Sequence, residues 1–94
     1  MLQKTYHITD FSDGSLEAAL AEVAAMDAYQ SAAQVLAVFF EQNWDTAEIE
    51  RQLGLIRQTL PKAETAGVTH FHGLLGYEQI ATLRCFDLSF LFFE

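Results

Sequence analysis

At 94 residues, with 51% apolar side chains and eight phenylalanines, the chain has the length of one domain and much core material for that length. Thirteen acidic against five basic residues give a net charge of -8, with no local Lys/Arg cluster, which predicts no nucleic-acid partner and no membrane surface. The single cysteine, Cys85, excludes an internal disulfide and any multi-cysteine zinc site.

The amino-terminal residues Met1-Leu2-Gln3-Lys4 show no signal-peptide apolar region, and no long uncharged run follows, so a cytoplasmic, soluble chain is expected. Residues 3–9, QKTYHIT, alternate Lys4, Tyr6 and Ile8 against Gln3, Thr5, His7 and Thr9, the period of a strand. The turn residues of DFSDGS come next, with Ser15 a candidate helix cap. Leu16, Leu20, Val23 and Ala24 then form one stripe of an alanine-rich helix running from Leu16 to Tyr29.

QVLAVFF, Gln34 to Phe40, is a continuous apolar run of strand length, the pattern of a strand covered on both faces at the centre of a parallel sheet. After EQNW, Asp45 and Glu48 have the spacing of a capping box. The helix they open carries Ile49, Leu53, Ile56 and Leu60 on one face, and Pro61 ends it. Glu64 to His70 reads as a strand and FHGLLG as a loop. The remaining YEQIATLRCF and DLSFLFF form one bent strand or two. These elements predict an α/β fold: a single β-α-β-α-β-β layer with a mixed, largely parallel sheet and two helices, residues 1–94 forming one domain.

Within Ala33 to Gly73 the features VLAVFF, DTAEIERQLGLIRQTL, LPKA and AGVTHFHG follow one another, preceded by the alanine-rich helix. This succession resembles the N-terminal part of the FIST domain, a bacterial intracellular sensory module, over about three quarters of the chain. The family turn carries small hydroxyl residues where His70, Phe71 and His72 stand here, and the family domain is far longer. The resemblance implies an N-terminal sensory segment of a signal-transduction protein. Its output, of the histidine kinase, diguanylate cyclase or chemoreceptor type, would lie beyond Glu94.

A small-molecule ligand is expected at loops 41–45 and 70–76, at the carboxyl ends of parallel strands, where open α/β sheets bind ligands. The candidate residues are Trp44, Thr69, His70, His72 and Gly73. Trp44 offers an aromatic wall beside a helix N-terminus; its plainer reading is a staple packing on Ile49. On a strand His70 and His72 share a face and would need a third ligand to hold a metal. Some FIST relatives resemble haem-binding nitric oxide sensors, which makes either histidine a candidate haem ligand. Solvent-facing or hydrogen-bonded histidines are the alternative. Cys85 reads as a small buried hydrophobe rather than a nucleophile. With no P-loop, G-x-S-x-G or H-E-x-x-H motif, no enzymatic activity is expected.

In FDLSFLFFE, Phe86, Leu88, Phe90 and Phe92 project to one side, and Asp87, Ser89, Leu91 and Phe93 to the other. Two helices cannot cover both faces of such a sheet. An apolar face is therefore expected to be left over for a twofold partner, which predicts a homodimer. A self-associating interaction domain without ligand is the alternative function.

Overall fold

The computed structural model describes residues 2–42, 44–70 and 84–94, with the side chains of 68–70 outside that description. In chain order the elements are β1 (Leu2–Ile8), α1 (Ser15–Ala24), α2 (Asp27–Ser31), β2 (Gln34–Gln42), α3 (Thr46–Thr59), β3 (Ala63–His70) and β4 (Cys85–Phe93). The four strands form one mixed sheet in the order β1-β4-β2-β3. This is a small α/β fold, as the alternation of elements predicts. Residues 71–83 lie outside the description, so whether YEQIATL adds a strand does too.

Two features differ from expectation. Among the described strands one pair is parallel, β2 with β3, whereas β4 is antiparallel to both β1 and β2. β4 thus inserts between β1 and β2. Its composition accounts for this: Phe86, Leu88 and Phe90 are fully buried and Phe92 nearly so, and an interior position shields such a row better than an edge. Among the described residues there are three helices rather than two. The stretch Leu16 to Tyr29 breaks after Ala24, and Met26 is extended at φ -73°, ψ 135°.

The register assigns each strand two faces. Phe86, Leu88, Phe90 and Phe92 align with Ile8, Tyr6, Lys4 and Leu2 of β1 and with Glu41, Phe39, Ala37 and Val35 of β2. Val35, Ala37, Phe39 and the β4 row share one buried cluster with Leu16, Leu20 and Val23 of α1 and Ile49 and Ile56 of α3. On the opposite face Leu36, Val38, Ser89, Leu91 and Phe93 are only half-buried, and Phe40 is 39% exposed. Covering of Gln34–Phe40 on both faces is therefore not what forms. The strand lies inside the sheet, between β4 and β3, but its burial alternates residue by residue. An unbroken apolar run normally marks two-sided cover. Here it marks a core face and a half-exposed apolar face.

Local chemistry sets the element ends. Gly14, not Ser15, is the residue before α1, at φ 81°, a left-handed conformation that glycine adopts without strain. Asp13 makes the turn by accepting the Ser15 amide at 2.8 Å. Asp45 caps α3 as expected, accepting the Glu48 amide at 3.4 Å. The return half of the capping box is replaced, because the Glu48 carboxylate turns to Arg51 and to Gln52 Nε2. Leu60 ends the helix immediately before Pro61.

Lys62 secures the short α2. Its ammonium donates to the carbonyl oxygens of Tyr29, Gln30 and Ala32 at 2.9, 3.0 and 3.1 Å and lies 5.2 Å from the centre of the Tyr29 ring. The Lys62 amide donates to the Tyr29 hydroxyl at 3.2 Å. Cations near a helix C-terminus satisfy carbonyls left without intrahelical donors. Lys62→Met keeps the aliphatic stem and loses all three ammonium bonds. It is expected to cost about 1–2 kcal/mol after allowance for solvent exposure, read as a lower urea midpoint at unchanged slope. An unchanged midpoint would show the ammonium bonds to be dispensable.

Candidate functional site

The carboxyl ends of β2 and β3 run side by side, with Glu41 paired to Thr69 and Gln42 to His70. Thr69 and His70 are thus brought, by their backbone, to the end of the sheet from which the chain passes to Trp44. His72 and Gly73 lie outside the described residues. The metal and haem readings of His70 and His72 concern side chains outside the description as well. Among the described residues no group of three His, Cys, Asp or Glu side chains could hold a metal ion.

Trp44 is the built part of this end. It is 9% exposed and belongs to the same buried cluster as Ile49, which agrees with the staple reading. The indole also packs on the ring of Phe11, from the turn after β1, at 4.3 Å between centroids. Phe11 in turn packs edge-on against Phe86 at 5.3 Å, so the indole is tied to the central strand. The Arg84 guanidinium lies over the indole, 5.0 Å from its centre, a cation–π distance. The indole Nε1 is buried and has no hydrogen-bond partner among the described residues. A buried donor left unpaired costs about 1–3 kcal/mol, so native structures seldom keep one without use for it.

Glu41 is the residue that sequence reasoning missed. It sits on the core face of β2, beside Phe86 in the register, and is 2% exposed. Its carboxylate accepts the Trp44 amide at 2.7 Å, which ties the strand end to the approach to α3. The signal in the sequence was positional: Glu41 falls in step with Val35, Ala37 and Phe39. The expected breakdown of the strand at EQNW concealed it.

Cys85 stands across from Gln42 on the half-exposed face, its thiol 3.9 Å from Gln42 Oε1. Burial pushes the thiol above its ordinary pKa, and the Asp87 and Glu41 carboxylates add to this. Those influences keep the sulfur protonated, the opposite of activation. The Asp10 carboxyl is held below its usual range by the Ser12 hydroxyl and then the Ser12 amide, with the charge of Arg84 contributing. At the far side of β1, Glu22 accepts the Tyr6 hydroxyl at 2.5 Å and pairs with Lys4 at 3.3 Å, joining α1 to the sheet.

Two clefts border this framework. One, of about 550 Å³, opens between α1 and α3 and is lined by Phe11, Glu17, Arg51, Gln52, Gly54, Leu55 and Gln58. The other, of about 340 Å³, lies at the opposite end of the central strands, among Leu2, Ala28, Ser31, Ala32, Phe92, Phe93 and Glu94. The first shares Phe11 with the Trp44 cluster. No helix among the described residues is long and apolar enough to cross a membrane. Comparison with family models, curated proteins and solved structures finds no match.

Proposed function

We propose that the chain is a non-enzymatic, cytoplasmic sensory module of the kind the FIST resemblance implies, binding a small molecule at the carboxyl ends of β2 and β3 around Trp44. The observation that carries this reading is the Nε1 donor, unpaired among the described residues, of an indole that is nine-tenths buried at that end, flanked by Phe11 and Arg84. Ligand sites work through an apolar wall and a few placed polar groups; here Phe11 and the indole would supply the wall, and an N–H and a guanidinium, both of which call for an acceptor, the polar groups. A ligand supplying that acceptor would relieve an unmet donor, and its occupancy would bias the junction between β2 and α3. An attached output domain would read that bias as a shift between two packings of the junction.

Trp44 is the only tryptophan, so the protein carries its own reporter. In a titration against a panel of small metabolites, binding at this site is expected to shift Trp44 emission and raise the melting temperature together. Ligand at about a hundredfold its dissociation constant adds about 2.7 kcal/mol to stability. Trp44→Phe keeps an aromatic wall and removes the N–H. It is expected to fold at least as stably as the parent and to lose ligand. Retained binding in that variant, or no compound that moves both signals, would count against the reading.

A further inference from the structure

We infer that the half-exposed face of the sheet, centred on Leu36, Val38 and Leu91, is the interface of a homodimer in which two copies stack sheet to sheet. Leu36 pairs with Leu91 and Val38 with Ser89 at the centre of this face, and Phe93 and Ala66 extend the apolar row. Among the described residues no element covers this face as α1 and α3 cover the other side, and burial alternates along β2 and β4 accordingly.

Area and charge both point to a second copy as the occupant. Four strands at a spacing of ~4.8 Å, with a rise of ~3.3 Å per residue, present roughly 600 Å² to a partner. The pair would then bury about 1,200 Å², the lower bound of specific, stable interfaces. Two flat sheet faces can pack at the ~10 Å spacing of a sandwich, with the central leucines and valines interleaving. The chain carries a net charge of -8, which opposes self-association wherever acidic surfaces meet. Of its thirteen acidic residues, only Asp87 and Glu64 among the described ones fall on this face. Asp87 is paired there with His7, and Glu64 stands on β3, the outermost of the described strands on that side. Glu17, Glu22, Asp27, Glu48 and Glu50 all belong to the helices. Stacking through the sheets therefore places the two acidic helical layers as far apart as the assembly allows.

Sedimentation equilibrium of the 94-residue chain, without ligand, tests the interface independently of the sensory reading. The mass is expected to rise from one chain to two along a concentration series. Val38→Lys is expected to weaken association at least tenfold with the circular dichroism unchanged, and Leu91→Lys to do the same should Val38→Lys fail to fold. Glu50→Lys, on α3, should leave association as it is. A chain that stays monomeric throughout overturns the inference, as does a dimer that survives both face variants. A dimer broken only by Thr65→Pro would place the contact at the outer side of β3 and overturn it equally.

Discussion

Phe90→Ala is expected to lower the unfolding free energy by about 3–5 kcal/mol, the range for truncating a large aromatic side chain in a core that cannot collapse around the gap. Phe90 is fully buried at the middle of β4, paired with Lys4 of β1 on one side and Ala37 of β2 on the other. Its ring meets Tyr6 edge-on at 6.2 Å and lies nearly parallel to Phe92 at 6.5 Å. Neither neighbouring strand can move inward without losing its ladder to β4, so the cavity persists. A domain of this length has about 5–10 kcal/mol of total stability, so roughly a third of it or more is at stake. Leu2→Ala is the control: its side chain lies on the same face but at the edge, 50% exposed, and should cost under about 1 kcal/mol. Urea unfolding of the two variants checks the contrast. Similar losses would mean that β4 does not form the centre of the core.

Gly67→Ala is the second large effect and comes from the addition of one methyl group. A Cβ built at Gly67 falls 2.3 Å from Cδ1 and Cε1 of Phe39 and 2.5 Å from its Cγ. The two residues are register partners on β3 and β2, and the Phe39 ring lies flat over the glycine. That ring is buried and stacks on Phe86 at 5.6 Å, so moving it disturbs the core. Overpacking of this kind costs about 1–3 kcal/mol, well above the small gain in strand propensity from alanine. Combining Gly67→Ala with Phe39→Val removes the ring and should recover much of the glycine term, giving a favourable coupling in a double-mutant cycle. Strictly additive losses would show that the ring is not the obstacle. Glycine inside a strand commonly marks close approach by a neighbour, and here the neighbour is Phe39.

Short-range chemistry was the legible part of this fold. Asp45 and Pro61 bound α3 as the spacing predicts, and the alternation in Phe86–Phe93 assigns each residue to the correct face. What the sequence concealed depends on distant partners. The break at Ala25 and Met26 carries no stop signal, since alanine favours helix; tertiary contacts that order α2, such as those from Lys62, select it. The place of β4 between β1 and β2 follows from pairing across most of the chain, which no local window contains. Val35 to Phe40 looked two-sided because leucine, valine and phenylalanine read alike whether a helix or a partner covers them. At the site, Trp44 was found as an aromatic at a strand end. The unpaired Nε1, the Phe11 contact and the buried Glu41 needed three-dimensional neighbours to appear.

The insertion of β4 has a consequence for biosynthesis. Thr5 and Ser89, joined across the β1–β4 ladder, are 84 positions apart, so β1 leaves the ribosome long before its described neighbour exists. Until Cys85–Phe93 emerges, β3 is the one described strand beside β2, and the sides of β1 and β2 that β4 will occupy wait for it. Such remote pairing favours slow folding, in the millisecond-to-second range typical of sheet-rich domains, and makes translation of the final strand the step that commits the sheet.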